Sequence, residues 1–241
     1  MAENAGTQEI LRRLRALGSE RARAGMARYG INVANAFGVS IEKLRPVARQ
    51  VGRDHALAGA LWATGVHEAR LLAAFIDEPA KVTESQMDRW ARDFDSWDLC
   101  DQVVSKLFDR TPFAWRKAVA WARRAGPGDE FVRRAGFAMM AALAVHGKDA
   151  PDVAFAGFLA EIQRAATDER NFVKKAVNWA LRQIGKRSAG LNAKAAAAAR
   201  RIARLDSRAA TWIAKDALRE LRSDRVLKKL GIASAKKERW G

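Results

Sequence analysis

Apolar side chains recur at three- and four-residue intervals along nearly the whole chain, and strict two-residue alternation is almost absent. This period predicts helices throughout and no strands. The pattern breaks at Gly30, at Asp77, Glu78 and Pro79, at the Gly126, Pro127 and Gly128 turn, and between Gly147 and Pro151, which leaves helices of ordinary length. Pro112 follows Thr111 and suits the first turn of the helix that begins FAWRKAVAWARR, where a missing N–H costs nothing. The alanine-rich run over residues 191–204 carries arginines and a lysine at intervals that fit a packed surface helix.

A weak internal repeat bears on the architecture. Phe131, Val132, Arg133, Arg134 and Ala135 match Phe172, Val173, Lys174, Lys175 and Ala176 without gaps, at an offset of 41 residues. Ala180, Leu181 and Arg182 recur as Ala217, Leu218 and Arg219 at an offset of 37. Both offsets sit near the period of HEAT-like helical pairs, about 40 to 47 residues. The expected fold is therefore all-α, a right-handed α-α solenoid of HEAT-like repeats in which one helix of each pair lines a concave face. Arg134 and Lys175 occupy equivalent positions. They either set positive charge at intervals along a concave DNA-binding face or are solvated charges on the outer face, and the pattern admits both.

Charge narrows the partner. The 241 residues hold 44 Lys and Arg against 27 Asp and Glu, a net charge of +17, spread along the chain rather than gathered in a tail. A folded basic surface facing a polyanion is implied, and cations set among large aromatics favour nucleic acid over a lipid surface. Residues 235–241 (AKKERWG) read as a frayed basic tail beyond a single domain over residues 1–234. A chain of this length can bury its own core without disulfide, metal or obligate protein partner. Cys100 is the single cysteine, and His55, His67 and His146 lack metal-ligand spacing. No glycine-rich phosphate loop is present, so neither metal nor cofactor is expected. With no export leader and no apolar run of membrane-spanning length, the expected location is the cytoplasm.

Two local sequences carry candidate chemistry. In FDSWDLCDQ, Ser96 suits a helix N-cap and Asp98 the first helical turn, where a carboxylate complements the helix dipole. Asp101 follows Trp97 by four residues and shares its helix face without any capping role. Taken alone, the spacing favours a core anchor beside a surface acid, and an indole and carboxylate set for chemistry is the alternative reading. In NFVKKAVNWALRQIG, Lys175, Trp179 and Arg182 share a face, either as cations and aromatic arranged for phosphate and base or as long side chains lying over a packed ring.

These motifs, with EFVRRAGF between them, resemble in order and spacing the AlkD-like DNA alkylation repair family, HEAT-like proteins that include alkylpurine DNA glycosylases. The resemblance spans most of the chain. It implies that Trp97 is the active-site tryptophan, Asp101 the catalytic aspartate and Trp179 the second tryptophan. It places the family's arginine on Arg134 or, one register back, Arg133, because the connection over residues 145–150 is longer than the family pattern. Lys174, Lys175 and Arg182 would join that arginine in binding DNA. The implied activity is cofactor-free release of cationic N3- or N7-alkylated purines from double-stranded DNA. A non-catalytic binder of damaged or branched DNA and a HEAT-type protein scaffold are the alternatives.

Overall fold

The sequence marks its helix starts chemically. Side chains of Ser19, Asp54, Thr83, Ser188, Ser207 and Ser223 each accept a hydrogen bond from the backbone amide three residues on, supplying a partner for one of the otherwise unsatisfied donors of the first turn. The computed structural model describes residues 2–233, so the basic tail over residues 235–241 lies outside the described residues. The helices are α1 (Ala2–Leu17), α2 (Glu20–Arg28), α3 (Ile41–Val51), α4 (His55–Ala63), α5 (His67–Ile76), α6 (Glu84–Arg92) and α7 (Trp97–Lys106). After a 3-10 turn at Phe108–Arg110 come α8 (Ala114–Ala122), α9 (Glu130–His146), α10 (Asp152–Arg164), α11 (Asn171–Gly185), α12 (Ala189–Ile202), α13 (Arg208–Leu221) and α14 (Asp224–Lys229). No strand occurs among the described residues, and no described helix is long and apolar enough to cross a membrane.

The described residues form two compact units, one running to Ala114 and the other starting at Trp115. In the first, α3, α5 and α7 pack in succession, α1 packs on α4, and Trp90 of α6 stacks on Trp62 of α4 with ring centroids 3.9 Å apart. In the second, α9, α11 and α13 form one row and α10 and α12 another, while Trp115 of α8 meets Phe155 and Phe158 of α10. Alternate helices thus stack on alternate helices, as expected of repeated helical pairs.

The stacking period differs between the units. In the first, the backbone amide of Phe37 donates to Glu68, Trp62 to Asp93 and His67 to Asp98, each across 31 residues. In the second, Arg123 reaches Glu161, Arg134 the Phe172 carbonyl and Asn178 Asp216, each across 38 residues. Helix length sets the difference: α3 to α7 run 9 to 11 residues, whereas α9 to α13 run 13 to 17. The sequence offsets of 37 and 41 lie wholly in the second unit.

Buried polar groups lock the repeats. Glu68, fully buried on α5, accepts from the amides of Phe37, Gly38 and Val39 at 2.7 to 3.1 Å and so fixes the connection into α3. Gly38 has φ of 78°, and a Cβ there would meet the Ser19 carbonyl oxygen at 2.2 Å. On α9, a Cβ on Gly136 would lie 2.3 Å from the Ala122 nitrogen and 2.9 Å from the Ala118 oxygen, so α8 and α9 cross backbone to backbone. We expect Gly136→Ala to destabilise the protein by about 2 kcal/mol or more. Gly157→Ala, on the open face of α10 with nothing within 4 Å, should be neutral or add about 0.5 kcal/mol. Urea unfolding of the two variants checks the contrast.

Candidate functional site

On α7, Leu99, Cys100, Val103 and Val104 are buried, which leaves Trp97, Asp98, Asp101 and Gln102 half-buried on the opposite face. The four-residue spacing therefore does set Trp97 and Asp101 one turn apart on a single face. The N-terminus of this helix is held from a distance in sequence. The Asn32 amide donates to Ser96 Oγ at 2.8 Å, Asn32 Nδ2 to Asp95 at 2.8 Å, and Trp97 Nε1 to the Tyr29 carbonyl at 2.9 Å. The turn after α2 thus fixes the indole. Ser96 is the N-cap residue, but its hydroxyl makes no cap hydrogen bond, because it is taken by Asn32.

Asp98 also does more than complement a helix dipole. Its Oδ2 accepts from Nε2 of His67, buried on α5, at 2.9 Å. Burial pulls the His67 imidazole toward neutrality, but the hydrogen bond to Asp98 and the negative charges of Asp98, Glu68 and Asp95 outweigh it, so its proton affinity rises above the usual histidine value. Asp98 Oδ1 and Gln102 Oε1 are buried with no hydrogen-bond partner among the described residues. Both residues, with Trp97 and His67, line a cleft of about 530 Å³ whose other walls include Met26, Tyr29 and Ile31. An apolar cleft with an indole at its edge and unsatisfied acceptors in its wall suits a flat, hydrogen-bond-donating or cationic guest.

The remaining candidates lie in the second unit. Arg133 and Arg134 open α9, and neither is a loose surface charge. Arg133 donates to Asp168 at 2.9 Å, and Asp168 also takes Arg170 at 2.6 Å. Burial pushes the Asp168 carboxyl up, yet the two guanidiniums and the Arg170 backbone hold it below the usual carboxylate range. Arg134, 6% exposed, donates to the Phe172 carbonyl at 2.7 Å and ties α9 to α11.

On α11, Val173, Ala176, Val177, Ala180, Leu181 and Ile184 face the core, and Asn171, Lys175, Trp179, Arg182 and Lys186 follow one another along the outer face. The two ends of that stripe differ. Arg182 pairs with Glu220 and lies 3.6 Å from Asp216, and Lys186 pairs with Glu220 at 2.5 Å. Lys175 is exposed and makes no ion pair among the described residues, and Lys174 lies 5.6 Å over the Trp212 ring. Open positive charge therefore concentrates at the N-terminal half of α11, around Lys174, Lys175 and the half-buried Trp179. A larger cleft of about 1150 Å³ in this unit is lined by the 145–151 connection and the ends of α11 and α13, and none of the sequence-derived site residues lines it.

Sequence reasoning missed His67, Asp168 and Trp212. The first two carry no motif, since their roles depend on a partner 31 or 35 residues away. Trp212 was readable as the centre of Arg208, Trp212 and Lys215, spaced i, i+4, i+7.

The model of a family described as DNA alkylation repair enzyme matches residues 10–221. A comparison with curated proteins finds no match. Among solved structures, the chain is similar to one from a family of proteins related to the HEAT-like repeat DNA glycosylases with affinity for branched DNA structures. The identity is 23%, the TM-score is 0.73, and the match covers 93% of this chain and 96% of the other. That likeness gives the all-α, HEAT-like fold.

The raised proton affinity of His67 has a signed consequence. A group whose affinity is higher folded than unfolded stabilises fully below its unfolded pKa and loses that contribution as pH climbs through the folded value. The stability difference between the native chain and His67→Gln should therefore be fully present below the ordinary histidine range, about pH 6.5, and shrink as pH rises above it. A difference in unfolding free energy that stays constant across that rise contradicts the His67–Asp98 ion pair.

Proposed function

We propose, on the premise that this chain belongs to the DNA alkylation repair enzyme family, that it is a DNA glycosylase releasing cationic N3- or N7-alkylated purines from duplex DNA. The observation that carries the reading is the placement of Trp97 and Asp101 on one face of α7, with the indole fixed by the Tyr29 carbonyl.

The chemistry asks little of an acid. A purine alkylated at N3 or N7 already carries positive charge, so the bond from C1′ to the base nitrogen breaks with its electron pair leaving on a neutral base. The positive charge moves to the sugar as an oxocarbenium-like centre. Asp101 supplies the carboxylate that stabilises this charge and orients the water whose oxygen bonds to C1′, and the water's proton passes to the carboxylate or to solvent. Trp97, its ring held rigid, lies against the cationic nucleotide through cation–π and apolar contact.

In the second unit, Lys174 and Lys175 meet phosphates, and Trp179 packs on sugar or base. Arg134 holds the turn at Phe172 that carries these residues, and Arg133 serves the same turn through Asp168. Arg182 supports the stripe through Glu220 rather than reaching into solvent.

The second reading is a non-catalytic binder of branched DNA, the property ascribed to the family of the similar solved structure. One assay separates the two. Under single-turnover conditions with alkylated duplex, the native chain should release 7-methylguanine and 3-methyladenine, and Asp101→Asn should slow release by about 100-fold or more. Its DNA affinity should stay within about threefold of native, well under 1 kcal/mol. Tight binding without release by the native chain favours the binder, and undiminished release by Asp101→Asn removes Asp101 from the mechanism.

A further inference from the structure

Helix α13 presents Arg208, Trp212, Lys215 and Arg219 at i, i+4, i+7 and i+11, all exposed and all on one face. Its opposite face, with Ala210, Ile213, Ala214, Ala217 and Leu221, is buried. Trp212 is 40% exposed, although a large aromatic with room to bury would normally do so. Its ring is not loose, since the Lys174 ammonium of α11 lies 5.6 Å over it. Arg219 is engaged by Asp216, so the open charge on this face belongs to Arg208 and Lys215 on either side of the indole. One nearby acid is Glu169, which accepts from the Ser207 hydroxyl and the Ala209 amide at 2.9 Å and sits below its usual proton affinity because of those hydrogen bonds and the charges of Lys174 and Arg208. Three cations thus stand around the ring, and the nearby acids are already engaged, Glu169 at the helix start and Asp216 by Arg219.

We propose that Lys174, Arg208, Trp212 and Lys215 form a binding site for a short unpaired DNA strand, with the indole stacking on a base and the cations on its phosphates. The inference rests on the reading of this chain as a DNA-binding protein and adds a single-strand site to it. Charge complementarity selects a polyanion, and an exposed, oriented aromatic between cations is how sequence-tolerant single-strand binding is built. The rise from Arg208 to Lys215 is about 10 Å. That spans a short stretch of one strand, enough for the two cations to reach phosphates on either side of a stacked base. A pair inside a continuous duplex is covered on both faces and offers none to such a ring, so the site discriminates strands adjoining a gap, fork or branch from continuous duplex.

The test measures equilibrium binding of the full chain to a blunt duplex and to the same duplex carrying an unpaired arm of about ten nucleotides, over a range of salt. The native chain should prefer the forked DNA. Trp212→Ala should weaken fork binding by at least about fivefold while leaving blunt-duplex binding and the salt slope nearly unchanged. Trp212→Phe should retain most of the preference. Arg208→Ala and Lys215→Ala should each lower the slope of log affinity against log salt for the fork by about 0.7, the single-strand value. Circular dichroism melting of Trp212→Ala against native controls for folding, and the salt slopes of Arg208→Ala and Lys215→Ala carry the test should the Trp212 variant fail to fold, an unchanged fork slope overturning the site.

Equal fork affinity of native chain and folded Trp212→Ala overturns the site. So does a native chain that binds blunt and forked DNA alike. A change in sedimentation of Trp212→Ala with unaltered DNA binding would reassign the face to protein association and also overturn it. Failure of the native chain to bind any DNA would instead overturn the underlying reading.

Discussion

A pair of short amphipathic helices can cover one apolar side of each helix but not both, so every pair here depends on its neighbours to stay dry. Stacking at a fixed offset solves that burial problem, and polar groups then hold the offset. Glu68 clamps three amides across about 30 residues, Asn178 reaches Asp216 across 38, and Arg134 reaches the Phe172 carbonyl across 38. Because each tie is buried or half-buried, slipping the register would strand donors and acceptors without partners, which costs far more than any single hydrogen bond gains. The site inherits this precision. Trp97 is positioned by a carbonyl 68 residues earlier, and Asp98 by a histidine 31 residues earlier.

The same ties sort the charge. In the second unit, Glu161 holds Arg123 and Arg164, Asp168 holds Arg133 and Arg170, and Glu220 holds Arg182 and Lys186. One acid serves two cations in the first two clusters, and in the third Glu220 and Asp216 serve Arg182, Lys186 and Arg219, so the clusters stay net positive while their cations are fixed in place. The net charge of +17 is therefore partly architectural. What is left for a ligand is the exposed remainder, which on α11 means Lys175 rather than Arg182. Counting Lys and Arg in the sequence identifies the class of partner, and the acids decide which cations meet it.

The period and breaks of the sequence foretold the helices, since Gly30, Pro79, the 126–128 turn and the 147–151 connection all fall between them. The face shared by Trp97 and Asp101 followed from spacing alone, because an α-helix fixes where i and i+4 point. Long-range partnerships were not legible. Nothing near Ser96 says that Asn32 will take its hydroxyl, and nothing near Arg133 announces Asp168. The shorter stacking offset of the first unit was also hidden, because its contacts at 31 residues join unlike residues, Trp with Asp and His with Asp, and leave no sequence identity to detect.

In the proposed function, Asp101 acts by charge on a base that already leaves easily, without a general acid. Release rates for two adducts in otherwise identical duplexes test this most directly, one cationic (7-methylguanine) and one uncharged (hypoxanthine). Measurable release of 7-methylguanine is expected, with release of hypoxanthine slower by at least about 100-fold, the scale on which one charge-stabilising group acts. Comparable rates for the two would rule this out, because a neutral base leaves that fast only when a group protonates it or stabilises its anion.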